Sequence, residues 1–482
     1  MNDIDFHEIF SYIDKTNSKV GQQYFWDKLV SIDKNINFEH QEKWIACFEQ
    51  EKDIVTKIKQ MLSKLKQYEA YNISRLFIDE YTQKPKGHSI IKVLALIPVI
   101  SLLLMHTYST FFYLLIISLI TNFIIHYCYK RYILLYTESI PQLLILHKTI
   151  KEIVSLNLPI EPTESIIFSI KSIDRIKRGM SVFVSEKKNY SDLAMIIYAL
   201  LEYLKIFFLI EPVMIFNILK KLDCKRNDIQ NIFEYVEEID TFLSINDLRR
   251  DVSCYCHPVI KNSHSLEFRD IYHPLVINCI PNSLKTGGKS ILLTGSNMAG
   301  KTTFIRTVAI NVLLAQTINT CFAKEFKLRT MNIFSAIRIS DDLLNDKSYY
   351  FEEVLTIKNM IERSETLSNN LFLLDEIFKG TNTIERIAAG KAVLSYLAKS
   401  DNNIVFVSTH DIELAELLNN YYDLYHFTEV IKDGQLHFDY KIKEGRLQTS
   451  NAIGILEINN YPKEIVDDAK ALIISFQQNV RN

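Results

Sequence analysis

The 482-residue chain predicts an α/β domain over residues 251–482, preceded by an all-α domain that a two-helix membrane hairpin interrupts. Three observations predict this. From about Ser253, short aliphatic or β-branched runs alternate with helical stretches, as at Ser290–Thr294, Leu371–Asp375 and Ile404–Ser408. Before Arg250, apolar residues recur at spacings of three and four, as in Ile54, Ile58, Met61, Leu62 and Leu65. Between them, Val93 to Tyr129 holds 37 residues without Asp, Glu, Lys or Arg.

These set the boundaries: a first helical part at 1–85, the hairpin at 88–130, the remaining helices at 131–250, and the α/β domain beyond. With 55 Lys and Arg against 57 Asp and Glu, the net charge of −2 excludes nucleic-acid binding by bulk positive charge, so any such contact is local. The 48% hydrophobic and 23% charged composition excludes a disordered chain. Seven scattered cysteines after a start reading MNDIDFHEIF, with no secretory signal, predict free thiols in a reducing cytoplasm.

A helix over Val93 to Tyr129 would be about 56 Å long, against about 30 Å of hydrocarbon. Two spans fit better, Ile90 to Met105 and Thr110 to Cys128, joined at His106-Thr107-Tyr108-Ser109. Lys84, Lys86 and Lys92 precede the pair, and Lys130 and Arg131 follow it, which puts both flanks in the cytoplasm. A buried helix pair in a soluble core is the weaker reading, because core helices keep a polar face. Leu193 to Leu219 carries Glu202, Lys205 and Glu211 and reads as a core helix rather than a third span, broken or kinked near Pro212. Lys171, Arg175, Lys177 and Arg178 read as a solvated face, with phosphate or anionic lipid contact as the alternative.

In the C-terminal half, the strand Ser290–Thr294 runs into Gly295-Ser296-Asn297-Met298-Ala299-Gly300-Lys301-Thr302-Thr303 and then into a helical sequence. This is G-x-x-x-x-G-K-T in the strand-to-helix setting a P-loop requires. Glycines let backbone N–H groups close on phosphate, Lys301 adds charge at the β- and γ-phosphates, and the Thr302 hydroxyl ligates Mg²⁺. An apolar strand ending at Asp375-Glu376 supplies a carboxylate for the Mg²⁺ shell and a second to orient or deprotonate the attacking water. A third strand ends in Ser408-Thr409-His410, where an imidazole meets the γ-phosphate. ATP and Mg²⁺ are the cofactors these residues point to.

The segment TGSNMAGKTTFIR resembles TGPNMGGKST-x-x-R of the MutS family of DNA mismatch-repair ATPases, which belong to the ABC-type branch of P-loop proteins. It departs at Ser296, Ala299 and Thr302, all small. LLDEIFKGTNTIE is similar to the family's MDEIGRGTST, matching Asp375, Glu376, Gly380, Thr381 and Thr383. ISDDLLNDKSYYFEEV resembles ASDDL-x-x-GRSTFMVEM and puts Ser348 where the signature serine falls, with Asn345-Asp346-Lys347 standing where the family has its glycine. Weaker likenesses at IDKTNSKVGQQYFWDKL, at VEEIDTFLSINDLRRDVSCYCHPVI with YHPLV, and at NAIGILEINNYPKEIVDDAKALI match the family's core, lever-to-ATPase and C-terminal dimerisation segments.

The resemblance implies a homodimer in which Gly295, Asn297, Gly300, Lys301, Thr302 and Thr303 hold ATP and Ser348 reaches it in trans. Thr302 and Asp375 hold the metal, and Glu376 and His410 serve hydrolysis. It further implies binding of mismatched or distorted DNA in repair. The alternative is an ATP-driven switch at the membrane acting on a protein or lipid partner. Phe6-His7-Glu8 imitates the family's mismatch wedge, yet the core-like segment follows at once and leaves no room for a mismatch-reading domain. Cys254, Cys256, His257, His264 and His273 have metal-like spacing, but without a second C-x-x-C they read as structural.

Overall fold

The computed structural model describes residues 2–32, 37–78, 88–156, 158–180, 200–201, 203–261, 265–337, 349–432, 435–447, 456–459 and 461–479. They form two compact units. One comprises Asp14–Asp27 and Glu39–Leu248; the other comprises Met1–Ile13, Lys28–Phe38 and Arg249–Asn482.

The first elements are α1 (Phe6–Ile13), α2 (Lys19–Val30), α3 (Glu39–Gln50), α4 (Lys52–Leu62), α5 (His88–Leu104), α6 (Thr110–Val154), α7 (Glu164–Asp174), α8 (Ile210–Asp223) and α9 (Arg226–Asp251). In the helical unit, the start of α2 is fastened to α9 by one buried carboxylate. Asp240, fully buried, accepts from the backbone N–H groups of Asn17 and Ser18 at 2.8 Å each, from Asn17 Nδ2 at 3.1 Å and from Ser18 Oγ at 2.6 Å. Burial pushes this carboxyl up to about 6, while the four donors act in the opposite direction and favour its charged form. Gly21 lies directly beneath it: a Cβ there would sit 2.3 Å from Asp240 Oδ2.

The apolar run forms two helices, α5 with Pro98 inside it and α6, at the places expected. The second helix does not end at 130. It continues unbroken for 45 residues to Val154, and its distal half is a core element: Ile140, Leu143, Leu146, Ile150 and Ile153 are buried there. Lys64 pairs with Glu152 at 2.6 Å and Asn72 Nδ2 donates to Glu138 at 3.2 Å, so chain from both sides of the apolar run builds one helical unit. Among the described residues, Thr110–Tyr129 is long and apolar enough to cross a membrane by length and composition, with mean hydropathy 1.9 and 17% of it buried. Ile90–Leu104 is a shorter apolar helix. Lys84 and Lys86 lie outside the described residues.

The expectation of a core helix over Leu193 to Leu219 is corrected for the part described. Leu200, Leu201, Tyr203 and Leu204 are exposed, and the chain breaks at Leu209, which takes φ +48° before α8 begins. Pro212 does not cause this break. It sits in the first turn of α8, where its missing N–H removes no intrahelical bond.

The α/β unit contains β1 (Val259–Ile260), β2 (Glu267–Ile271), β3 (Asn282–Lys285), β4 (Ser290–Thr294), β5 (Glu325–Leu328), β6 (Asn332–Ala336), β7 (Asn370–Asp375), β8 (Asn403–Thr409), β9 (Tyr422–His426), β10 (Glu429–Lys432), β11 (Gln435–Phe438) and β12 (Lys443–Glu444). Its helices are α10 (Lys301–Thr317), α11 (Tyr349–Thr366), α12 (Thr383–Ala398), α13 (Ile412–Leu418) and α14 (Lys463–Asn479). The main sheet runs β12-β9-β4-β8-β7-β6, parallel except at β12. Every residue of β4 and β8 is buried, as strands covered on both faces require. A smaller sheet runs β1-β5-β2-β3, and β10 pairs with β11.

Residues 1–13, expected in the helical domain, belong instead to this α/β unit. Phe6, Ile9 and Ile13 are buried, Asp5 pairs with Arg306 of α10 at 2.9 Å, and Asp3 accepts from the N–H of Ile337 at 3.1 Å. Phe6 is 2% exposed, so it is a core residue and not a wedge.

Gly21→Ala should lower the thermal unfolding midpoint of the helical unit. The clash with Asp240 costs about 1–3 kcal/mol, more than the roughly 1 kcal/mol of helix propensity gained. Asp240→Gly in the same chain should relieve the clash, since the Asp240 Cβ itself would lie 2.6 Å from the added methyl, so the double variant should lose less than the sum of the singles in differential scanning calorimetry.

Candidate nucleotide site

The order β4-β8-β7 puts three chemically distinct strand ends side by side. Register pairs Thr294 with Thr409 and Asp375 with Ser408, so the loop after β4, the Thr409-His410 corner and the Asp375-Glu376 pair open at one edge. This is the carboxyl edge, where open parallel sheets bind ligands.

The loop after β4 turns on two glycines. Gly295 has φ +132°, and a Cβ there would lie 2.6 Å from the carbonyl oxygen of Phe427; Gly300 has φ +101° and starts α10. Lys301 is fully buried and its Nζ donates back to the carbonyl of Gly295, across the loop it closes. Burial lowers its ammonium to about 8, while Glu376 and Asp375 act in the opposite direction. Thr303 lies on the first turn of α10, and Asn297 on the short 3₁₀ turn Asn297–Ala299. The first N–H groups of a helix have no intrahelical acceptor, which suits this start to phosphate.

Thr302 Oγ1 donates to Asp375 Oδ2 at 2.7 Å, and Ser408 Oγ donates to Asp375 Oδ1. A hydroxyl and a carboxylate so placed are hard oxygen donors at the phosphate edge, and they fit Mg²⁺, which takes few protein ligands when phosphate supplies others. Among the described residues no three His, Cys, Asp or Glu cluster as a metal site. Of the cysteine and histidine set near 254–273, His273 is buried, and Cys256 forms a backbone bridge with Cys321. His264 lies outside the described residues.

Glu376 takes φ +52°, held by its N–H donating to Ser408 O at 2.9 Å. Its carboxylate lies 2.5 Å from His410 Nε2 and 2.7 Å from Lys379 Nζ. Burial favours the neutral acid, but these two partners outweigh it and hold the carboxyl at about 2. A carboxyl held so low is a weak proton acceptor near neutral pH, so this arrangement suits orienting water. Accepting its proton requires His410 or Lys379 to withdraw.

Several residues of this edge had no sequence signal. Lys379 was hidden in a charged stretch, and Ser408 gave no sign that it would bind Asp375. Arg386 of α12 grips Asp411, next to His410, with Nε at 3.0 Å and a terminal nitrogen at 2.7 Å. Glu353 of α11, buried, accepts from the N–H of Phe378, and Tyr350 packs where a Cβ on Gly380 would come within 2.7 Å of it. Beside the loop lies a cavity of about 330 Å³ walled by Tyr272, Ile277, Met298, Phe304, Phe427 and Tyr440. Ser348 lies outside the described residues.

A phosphate loop, a hydroxyl-carboxylate pair and an oriented carboxylate on one parallel sheet define a P-loop ATPase domain. Residues 291–477 match the family model of MutS domain V. The DNA mismatch repair protein MutS of Clostridium novyi (strain NT) is 30% identical over 266 residues, covering 52% of this chain and 29% of the relative. That of Persephonella marina is 30% identical over 230 residues, covering 46% and 26%. That of Listeria monocytogenes serotype 4a is 30% identical over 258 residues, covering 51% and 29%. The chain thus spans less than a third of these relatives. The matches support the MutS resemblance, and the domain is an ATPase.

Lys301→Ala should abolish nucleotide binding, whereas Glu376→Gln should bind ATP and hydrolyse it roughly 10² to 10⁴ times more slowly. Wild-type turnover by Glu376→Gln in a phosphate-release assay would remove the carboxylate from the mechanism. Binding should also depend on pH. Free Lys301 loses its proton above about 8, while phosphate stabilises the charged form. Affinity for a fluorescent ATP analogue should therefore fall about tenfold per pH unit above 8. An affinity unchanged from pH 7 to 9.5 would contradict this.

Proposed function

We propose that the chain is a membrane-anchored ATPase of the MutS family that works as a homodimer, with ATP closing the shared interface and hydrolysis reopening it. The observation that carries this is the convergence of Lys301, Thr302, Asp375, Glu376 and His410 at one sheet edge. Thr302 and Asp375 would hold Mg²⁺, which supplies charge neutralisation on the phosphates, and the 330 Å³ cavity would take the base. A single chain offers these groups on one side of a triphosphate. Ser348 of the partner subunit, carried over from the family, would cover the other. With hydrolysis blocked by Glu376→Gln, Mg-ATP should shift the protein from monomer to dimer in analytical ultracentrifugation, and Ser348→Ala should weaken that shift. A mass independent of ATP sinks the dimer reading.

The anchor is α5 with the first half of α6. Support comes from Leu103, Tyr113, Ile117 and Ile124, all more than half exposed, and from hydroxyls that bond to nearby backbone carbonyls. Ser118 Oγ donates to Leu115 O and Thr121 Oγ1 to Ile117 O at 2.8 Å within α6, and in the turn after α5 Thr107 Oγ1 donates to Leu104 O at 2.9 Å. Polar groups so satisfied need no water, as a hydrocarbon layer demands. The basic flanks assign both ends to the cytoplasm. The protein should stay with the membrane in carbonate, and cysteine labels at Lys86 and Lys130 should react from the cytoplasmic side alone. Labelling of one from outside excludes the hairpin.

DNA with a mismatch or other distortion is the substrate the family resemblance gives. A second reading, a switch acting on a protein or lipid partner, is favoured by the burial of Phe6, which removes the wedge-like motif from any duplex contact. Salt-dependent binding of homoduplex and mismatched duplex separates the two. Preference for the mismatch supports repair, and no binding at low salt supports the switch.

A further inference from the structure

Two cysteines of the α/β unit, far apart in sequence, stand opposite one another. Cys256, in the stretch that follows α9, and Cys321, just past the end of α10, exchange both backbone hydrogen bonds. The Cys256 N–H donates to Cys321 O at 3.0 Å, and the Cys321 N–H donates to Cys256 O at 2.9 Å. Antiparallel residues that exchange both bonds have Cα atoms about 5.5 Å apart, inside the roughly 4.4–6.8 Å that a disulfide spans. Their thiols are hydrogen-bonded to each other, and both are reduced. The surrounding chain fixes this approach. Arg249 Nε donates to Thr320 Oγ1 at 3.0 Å and a terminal nitrogen to Asn319 O at 3.1 Å, while the Tyr272 N–H donates to Phe322 O at 3.0 Å and its hydroxyl to Cys254 O at 2.6 Å. No backbone movement is needed to bring the two sulfurs together.

We propose that Cys256 and Cys321 form an oxidation site for peroxides, Cys256 reacting first and Cys321 resolving it to a disulfide. Exposure sets this order: Cys256 is half-buried and within reach of a small oxidant, whereas Cys321 is fully buried. Acidity sets the same order. The hydrogen bond from Cys321 lowers the Cys256 thiol and favours its thiolate, while burial pushes the Cys321 thiol well up. The Cys256 thiolate attacks one peroxide oxygen, the O–O bond breaks, and hydroxide leaves with the second oxygen, giving Cys256 sulfenic acid. Cys321 sulfur then attacks the Cys256 sulfur, the S–O bond breaks, and the Cys321 proton leaves with that oxygen as water. Two thiols and one hydrogen peroxide thus give one disulfide and two waters, the two electrons passing from sulfur to oxygen. The bond closes the chain from Cys256 to Cys321, which contains β4, the phosphate loop and the whole of α10. It therefore ties the stretch after α9 to the far end of the helix that Lys301 begins.

The test uses the full chain in detergent, carrying Cys254→Ser so that Cys256 is the one cysteine of the tryptic peptide Asp251–Lys261; Cys321 is the one cysteine of Thr307–Lys324. A serine hydroxyl can donate to Ala323 O as the Cys254 thiol does. After reduction and removal of the reductant, hydrogen peroxide should join these two peptides, at a mass lower by two hydrogens than the reduced pair, and dithiothreitol should separate them. Oxidation should raise the thermal unfolding midpoint by about 4 °C or more, because the bond constrains the unfolded chain without distorting the folded one. With Cys321→Ala added, Cys256 should stop at the sulfenic acid and take up dimedone at least twice as fully as in the parent, where Cys321 removes that species. No crosslink, a crosslink of Cys256 to a different cysteine, or a midpoint that does not rise overturns the site. Dimedone uptake no greater in the Cys321→Ala chain removes Cys256 as the residue that reacts first and overturns the proposed order. The crosslink and the midpoint are read with Cys321 in place, so they decide the matter even where Cys321→Ala fails to fold.

Discussion

The nucleotide edge depends on Asp375. One carboxylate accepts from Thr302 at the start of α10 and from Ser408 at the end of β8, so three segments far apart in sequence are fixed to one another by two hydrogen bonds. The arrangement follows from strand order. Because β8 lies between β4 and β7, the last residue of β7 faces both the P-loop helix and the β8 corner, and a carboxylate is long enough to serve both. Its neighbour Glu376 then has to point the other way. The left-handed backbone at that position does this, and it delivers the side chain to His410 and Lys379.

How much of this was legible can be judged residue by residue. The P-loop and the Asp375-Glu376 pair were readable because phosphate binding constrains backbone and side chain together, leaving a fixed spacing behind. His410 was readable through the strand that ends before it. Lys379, Ser408 and Arg386 were not, because an ion pair formed across a loop demands no spacing in sequence and a lysine or serine there looks like any solvated residue. The cavity beside the loop was invisible for a related reason: Ile277, Met298 and Tyr440 come from three separated segments, and only the folded sheet assembles them.

The helical unit was harder to read, and the reasons differ by element. Apolar periodicity identified α4, and the length of the uncharged run its two helices; Lys130 and Arg131 mark where that run ends, yet nothing in the sequence shows that the helix continues through them into the core at Ile140. Residues 1–13 were misplaced because amphipathic periodicity gives a helix a buried face without naming the surface that buries it; the Asp5–Arg306 pair decides that. The expected core helix after Leu193 differs in its described part because central charges argue against a straight span but do not separate a buried helix from an exposed one that breaks at Leu209. Gly21 and Asp240 form a constraint of the same invisible kind. Only their approach in space explains why a glycine stands inside α2.

The loop 376–380 is held to helix α11 by a hydrogen bond and by ring packing. Glu353 binds the N–H of Phe378, Tyr350 fills the space that Gly380 leaves open, and the rings of Tyr350 and Phe378 lie 6.3 Å apart. Burial raises the Glu353 carboxyl while the Phe378 N–H and Lys379 favour its charged form, so the bond tightens when it is ionised. Glu376, paired with His410 and Lys379, stands two positions before Phe378. Through Glu353, Phe378 is bonded to α11, whose first residue, Tyr349, directly follows Ser348. The side chain proposed to reach the partner's nucleotide is thus tethered in sequence to a helix that is bonded to the loop following Glu376.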